Sequence, residues 1–158
     1  MCEPSGWLDA TTFESVVAST PLVSIDLLVE NARGEYLLGL RKNRPAQGYW
    51  FVPGGRVQKN ESLDAAFKRL TRQELGVEWK RSQAVFKGVY EHFYNDSVFG
   101  VKPTTHYIVL AYHINVLQLK ITTCAEQHCS SRWLSPLLMK ALKIHRYTQD
   151  YFESYHER

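Results

Sequence analysis

The hydrophobic and polar positions along the chain follow two periods, and both indicate regular secondary structure. Runs of β-branched and aromatic residues bounded by glycine, proline and asparagine indicate strands. Apolar residues at three- and four-residue spacing indicate helices with one buried face. Strands are predicted at residues 22–30, 36–41, 50–52, 84–94, 106–116 and 132–134, and helices at residues 10–19, 61–75, 135–143 and 147–157. This order predicts a mixed sheet covered by helices.

The stretch from residue 53 to 77 organises this pattern, because it joins a glycine turn to the longest predicted helix. Asn60 is a suitable N-cap, and Glu61 would follow in the first turn, where the helix dipole favours an acid. Gly76 is a suitable stop at the other end. Three- and four-residue spacing gives this helix an inward face made of Leu63, Ala66, Phe67 and Leu70.

Length and composition favour one globular domain over residues 1–158, with 44% hydrophobic and 22% charged residues. The net charge of only +3, without a long basic run, argues against a nucleic-acid partner but allows a small anionic ligand. No apolar run is long enough for a membrane span, and the first residues do not read as a signal peptide.

The three cysteines form an odd count, which favours free thiols in a reducing compartment, and we expect a cytoplasmic protein. Cys124, His128 and Cys129 could be read as a metal-binding tract. No second Cys or His pair stands nearby at zinc spacing, so ordinary thiols are the favoured interpretation.

The central stretch resembles the signature of Nudix hydrolases, through Gly55-x5-Glu61-x7-Arg69 followed by ELGV at residues 74–77. The resemblance implies an α/β/α sandwich with a mixed sheet, and carboxylates that hold divalent metal ions on a diphosphate. The family pattern also has glutamates at the positions of Leu70 and Gln73, which this chain lacks. Of that cluster only Glu74 remains, and this departure is the main clue to function.

One carboxylate fits one Mg²⁺, which prefers oxygen ligands and completes its shell with waters and phosphates. Glu74 is the available acid, and the carbonyl of Gly54 could add an oxygen. A merely solvated Glu74 is the alternative, although the helix dipole disfavours an acid near a C-terminus. With Leu70 and Gln73 unable to help activate a water, another residue must do so, and the attacked atom could be carbon rather than phosphorus.

Much longer blocks resemble GDP-mannose mannosyl hydrolases, an atypical Nudix branch. They are residues 20–59, RLTRQELG at 69–76, HFYND at 92–96, TTHY at 104–107 and EQH at 126–128. The resemblance implies Mg²⁺-dependent hydrolysis of GDP-mannose, or GDP-glucose, to GDP and free sugar by inverting substitution at the anomeric carbon. It also implies a homodimer. The Mg²⁺ ligands it implies are Gly54, Glu74 and Gln127.

The same resemblance implies His128 as the general base, a role that suits histidine because it titrates near neutral pH. The other implied site residues are Arg41 and Arg56 on the diphosphate, Asp26 and Tyr107 in the active site, and His92 and Arg69 as further substrate-binding candidates. Asp26 stands in an apolar strand, where an unpaired acid is costly, so a functional or paired role is expected from the residues alone.

Several alternatives stay open at this point. His128 could be a surface loop histidine, Arg41 a solubilising loop residue, and Tyr107 a core residue with an accessible hydroxyl. Glu61 and Arg69 could form a structural ion pair. Trp50, Phe51 and Trp133 are expected in the core rather than in a base-stacking role. The alternative functions are a pyrophosphohydrolase that yields GMP and a sugar phosphate, and a non-catalytic nucleotide-binding module.

Overall fold

The computed structural model describes residues 6–117 and 128–153. The strands are β1 (Leu22–Asn31), β2 (Tyr36–Arg41), β3 (Trp50–Phe51), β4 (Gly54–Arg56), β5 (Val85–Tyr94), β6 (Thr105–Val116) and β7 (His128–Leu134). The helices are α1 (Ala10–Ser19), α2 (Leu63–Leu75), α3 (Pro136–Met139) and α4 (Arg146–Glu153), with a 3₁₀ turn at Arg81–Gln83.

The described strands form one mixed sheet in the order β3-β2-β1-β6-β5, with β4 paired to β1 and β7 paired to β2. β1 runs parallel to β6 along its whole length, from Leu22 opposite Tyr107 to Asn31 opposite Val116. The hairpin neighbours β1 and β2 are antiparallel, as are β5 and β6. β1 is therefore central, which suits its nearly continuous apolar run.

Hydrophobic clusters cover both faces of the sheet. Ile25 and Leu27 of β1 belong to one cluster together with Phe67 and Leu70 of α2. Leu28 of the same strand belongs to the other cluster, which is formed by Leu38, Trp50, Phe51, Met139, Ile144, Tyr151 and Phe152 among others. The predicted α/β/α sandwich is confirmed, and so is the prediction that Trp50 and Phe51 are core residues.

The boundaries of two helices differ from the prediction. The N-cap of α2 is Ser62, whose side chain accepts a hydrogen bond from the Ala65 N–H, and not Asn60, which has a φ of 66°. Glu61 consequently lies before the helix rather than in its first turn. Gly76 ends the helix with a φ of 75°, as expected. α3 ends at Met139, short of the predicted residue 143.

The segment before residue 132 also needs correction. The strand predicted at residues 132–134 begins earlier in the structure, because β7 starts at His128 and pairs with β2. Pairing with a neighbouring strand, rather than the local polar sequence, decides the start of this element. None of the helices in the described segments has the length and apolar content needed to span a bilayer.

Candidate active site

A cavity of about 900 Å³ lies against the sheet and is lined by residues of α1, α2 and six strands. It brings together residues that are far apart in the sequence, and most of the predicted site residues line it. Those are Asp26, Arg41, Gly54, Arg56, Arg69, Glu74, His92 and Tyr107. Arg41 therefore lines the cavity instead of acting as a solubilising loop residue.

Two further residues, Gln127 and His128, were predicted to belong to the site. Gln127 lies outside the described residues. His128 begins β7, and its backbone stands opposite Arg41 in the β2–β7 pairing. Neighbouring strands lie about 5 Å apart. The backbone of His128 is therefore next to a residue that lines the cavity.

The glycine turn is fixed by close approach to β1 and α2. Gly54 stands opposite Asp26, and a Cβ added there would overlap the carbonyl oxygen of Ile25 and lie 2.9 Å from Asp26 Oδ1. A Cβ on Gly55 would come within 2.5 Å of Leu70 Cδ2. Leu70 is buried beneath the turn, so the predicted core role of this residue is confirmed.

Arg69 holds the same turn from the other side. Its Nε and Nη2 donate to the carboxylate of Glu61 at 2.7 and 2.8 Å, and Nη2 also donates to the carbonyl of Arg56 at 2.8 Å. Burial alone would raise the pKa of Glu61, but hydrogen bonds from Arg69 and from the Gln58 N–H outweigh it and lower the pKa. The structural ion pair is thus present, and Arg69 fixes the backbone that carries Arg56.

Glu74 presents a buried carboxylate to the cavity. Its side chain is 9% exposed, and it has no hydrogen-bond or ion-pair partner among the residues that the structure describes. Burial raises its pKa to about 7, although the positive charge of Arg41 opposes the rise. A buried carboxylate without a donor is unfavourable, and a bound cation would relieve that cost.

The oxygen donors at this position fit Mg²⁺. Within residues 6–117 and 128–153 no three His, Cys, Asp or Glu side chains cluster as a metal site. Mg²⁺ is commonly held by one or two carboxylates, with waters and substrate phosphates completing the octahedron. Glu74 and the backbone of Gly54 line the same cavity and would together suit one Mg²⁺ that also contacts a substrate phosphate.

Asp26 is paired within the cavity, in agreement with one of the two roles expected for it. Its Oδ2 accepts a hydrogen bond of 2.5 Å from the hydroxyl of Tyr151, which also lies 3.4 Å from Nε2 of His92. Burial raises the pKa of Asp26 to about 7, although Tyr151 and the charge of Arg41 oppose the rise. Burial and the nearby His145 lower the pKa of His92 to about 3.

Tyr151 is a site residue that the sequence reasoning missed. It lies on α4 and is only 2% exposed. Its ring makes an edge-to-face contact with that of Tyr90, with ring centres 4.7 Å apart. Tyr147 precedes it by one helical turn and stacks on His92 at 4.2 Å. Aromatic residues spaced by four in a terminal helix were the available signal, since this spacing places them on one face.

Tyr107 and Arg56 line the same cavity from β6 and β4. Burial raises the pKa of the Tyr107 hydroxyl, although the charges of Arg41 and Arg56 oppose the rise, so the hydroxyl stays protonated at neutral pH. Arg41 donates from Nε to the carbonyl of Pro45 at 2.8 Å. The cavity thus combines four guanidinium groups, two phenols and two buried carboxylates.

Comparison with known proteins identifies the fold family. The family model described as the NUDIX domain matches residues 20–156. The chain belongs to the Nudix hydrolase family. The chain is also similar to the low-salt glycan biosynthesis protein Agl8 of Haloferax volcanii, which is 40% identical over 114 residues, or 72% of this chain and 71% of that protein.

Solved Nudix structures share this fold at low sequence identity. The MutT protein of Methanosarcina mazei Go1 superposes with a TM-score of 0.63 at 23% identity, over 87% of this chain and 95% of that one. The NUDIX domain of Shewanella oneidensis NrtR, solved with ADP ribose, superposes with a TM-score of 0.68 at 16% identity, over 96% of this chain and 93% of that one. At these identities the likeness establishes the Nudix fold alone.

Proposed function

We propose that this Nudix protein hydrolyses GDP-mannose, or GDP-glucose, to GDP and free sugar by inverting attack of water on the anomeric carbon. The observation that carries the proposal is the number of acidic side chains that α2 presents to the cavity. Leu70 packs under Gly55, and Gln73 accepts a hydrogen bond from Arg69, so Glu74 is the one residue of α2 that offers a carboxylate to the cavity. A site with one acid on this helix suits the departure of a diphosphate better than multi-metal attack on phosphorus.

One Mg²⁺, held by Glu74, the Gly54 carbonyl and Gln127, would supply positive charge to the diphosphate as it leaves. Arg41 and Arg56 would add charge-assisted hydrogen bonds to the same group. Tyr107, protonated at neutral pH, would donate to a phosphate oxygen. These groups act on negative charge that grows as the bond to the sugar breaks.

Asp26 would face the sugar, which becomes positive in an oxocarbenium-like transition state. Its ionised form balances that charge, and Tyr151 holds the carboxylate in place. In the reaction a bond forms between the water oxygen and C1, while the bond from C1 to the diphosphate oxygen breaks. The electron pair of the broken bond leaves with GDP.

His128 is the proposed base, which takes the proton from the attacking water. Inversion requires that water on the sugar face opposite GDP, so the base belongs on an element separate from α2. β7 is such an element, and its first residue is the backbone neighbour of Arg41. A positioned base of this kind contributes roughly 10²–10⁴-fold to the rate.

Two relatives support the substrate class. Agl8 is named for low-salt glycan biosynthesis, and the NrtR domain was solved with ADP ribose, a sugar joined to a nucleoside diphosphate. A nucleotide sugar also combines the anionic and polar groups that this cavity is equipped to contact. Homodimer formation and a cytoplasmic location stay predictions.

Product analysis tests the proposal. Incubation with GDP-mannose and Mg²⁺, followed by ³¹P and ¹H NMR, should give GDP and mannose with the inverted anomer formed first. GMP with mannose 1-phosphate would instead indicate a pyrophosphohydrolase, and binding without turnover a nucleotide-binding module. The His128→Gln variant should lose most of kcat and keep its Mg²⁺ affinity, whereas His106→Gln, which alters a residue stacked on Phe93 outside the cavity, should keep both.

A further inference from the structure

Two aromatic residues near the start of the described chain line the cavity and have no part in the proposed reaction. Trp7, just before α1, and Phe13, within α1, line it together with Arg56. We infer that Trp7 and Phe13 form a shelf on which the nucleobase of a nucleoside diphosphate stacks. The inference rests on the proposed function only in assuming that the substrate carries a nucleotide.

The β-sheet register orders the cavity from this shelf to the reacting end. On β4, Arg56 stands opposite Ser24 of β1, and Gly54 stands opposite Asp26. Two residues along a strand correspond to about 6.6 Å. The guanidinium carbon of Arg56 lies 4.6 Å from the centre of the Phe13 ring. Arg56 is therefore next to the shelf, and the groups proposed for the metal and the sugar lie farther along.

The Trp7 side chain is as exposed as expected for an aromatic residue that stacks on a ligand. Its side chain is 71% exposed, whereas Trp50 is 8% exposed in the core. A tryptophan left open at a cavity wall gains most from a flat partner that covers its ring. Phe13 makes an edge-to-face contact with Phe99, with ring centres 5.6 Å apart, and the Arg56 guanidinium lies over its ring.

The shape of a nucleotide sugar favours the base at this end. In a nucleotide sugar the diphosphate lies between the base and the reacting sugar. The reacting end must hold the acids, and these are Asp26 and Glu74. Arg56 lies beside Phe13 and is proposed to contact the diphosphate. The base, on the side of the diphosphate away from the sugar, would then contact the aromatic shelf. A volume of about 900 Å³ is also within the usual range for pockets that enclose a whole ligand.

The test measures binding rather than turnover. GDP and inorganic pyrophosphate are titrated by calorimetry, with Mg²⁺ present, into the full chain and its Trp7→Ala variant. Stacking of one base on an aromatic side chain corresponds to about a 5- to 100-fold change in affinity. We expect GDP to bind the variant more weakly by such a factor and pyrophosphate to bind it equally well. Trp7→Phe should keep most of the affinity for GDP.

The control variant is Phe93→Ala, which removes an exposed aromatic residue outside the cavity and should leave both affinities unchanged. Unchanged GDP binding in Trp7→Ala would overturn the inference, and so would equal weakening of GDP and pyrophosphate. Quenching of tryptophan fluorescence by GDP should be reduced in Trp7→Phe, and undiminished quenching would also count against the shelf. Because no readout depends on hydrolysis, absence of sugar release would refute the proposed function and leave this inference standing.

Discussion

The hydroxyl of Tyr151 donates a 2.5 Å hydrogen bond to Oδ2 of Asp26, which lies 125 residues earlier in the chain. The bond joins α4 to the central strand β1, and the same hydroxyl lies 3.4 Å from Nε2 of His92. Asp26 lines the cavity. The C-terminal helix therefore contributes to the orientation of a carboxylate at the candidate site.

Replacing Tyr151 with phenylalanine should lower kcat with little change in KM, because Asp26 loses the donor that orients its carboxylate. A hydrogen bond to a buried charged group contributes about 1.5–3 kcal/mol, so the free energy of unfolding should fall by a similar amount. Steady-state kinetics and urea denaturation measure both effects. Tyr90→Phe is the matched control, since the Tyr90 hydroxyl has no hydrogen-bond partner in the described part of the chain. Equal kinetics in the two variants would remove the positioning role.

His92 should make the stability depend on pH. Its pKa falls from 6.5 to about 3 in the folded chain, so below pH 6.5 the unfolded chain binds a proton that the folded chain does not. The contribution of His92 therefore removes about 2 kcal/mol of stability at pH 5 relative to pH 8. The raised pKa values of Asp26 and Glu74 act in the opposite direction over the same range, so the His92 contribution is measured as a difference between wild type and variant. The titratable groups that face His92 are Tyr94, His145, Tyr147 and Tyr151, and Tyr151 links it to Asp26.

Urea denaturation of the wild type and His92→Gln at both pH values checks this dependence. On going from pH 8 to pH 5, the free energy of unfolding of the wild type should change less favourably than that of the variant, by about 2 kcal/mol. Parallel pH profiles would show that His92 does not titrate between the folded and unfolded states in this range.

Loss of the Arg69 guanidinium should destabilise the chain strongly. The pair with Glu61 is largely buried, with side-chain exposures of 15% and 4%. Arg69→Met leaves the Glu61 charge without its partner, which costs about 3–5 kcal/mol. The exposed pair of Lys68 with Glu78 provides the control, because Lys68→Met should cost only about 0–1 kcal/mol. A similar midpoint of urea denaturation for both variants would contradict the structural role of Arg69.

Glu74→Gln should remove the response of the protein to Mg²⁺. Addition of Mg²⁺ and GDP should raise the Tm of the wild type, because a ligand that binds only the folded state stabilises it. The variant should show a much smaller rise, and without Mg²⁺ it should be at least as stable as the wild type, since the replaced carboxylate is buried and unpartnered. Gln73→Ala, which changes the neighbouring exposed residue, should respond as the wild type does. An unchanged Mg²⁺ titration in Glu74→Gln would refute the ligand role.

The sheet and the α2 helix could be predicted from sequence because their signals are local. Residues 22–30 are apolar on both faces, which identifies a central strand, and Gly76 ends α2 with the left-handed conformation expected of it. Asn60 was the wrong cap because Ser62, two residues later, was an equally suitable one. The tertiary pair of Glu61 with Arg69 keeps Glu61 outside the helix, and no local propensity reveals that pair.

The candidate site was predictable only as far as its residues lie in recognisable blocks. The resemblance selected Asp26, Arg56 and Glu74, and the fold brings them to one cavity. Trp7 and Tyr151 were missed because both lie outside those blocks. Trp7 lines the cavity, and Tyr151 contacts it through its hydrogen bond to Asp26. Their roles depend on packing across the sheet, which the spacing of residues along the sequence does not encode.

Hydrolysis of GDP-mannose in H₂¹⁸O tests the central claim most directly, because it identifies the atom that water attacks. The reaction is run to a single turnover with Mg²⁺, and the products are analysed by mass spectrometry. The account predicts that ¹⁸O appears in mannose and that GDP carries none. Recovery of ¹⁸O in a phosphate group, with release of GMP or mannose 1-phosphate, would contradict attack at carbon.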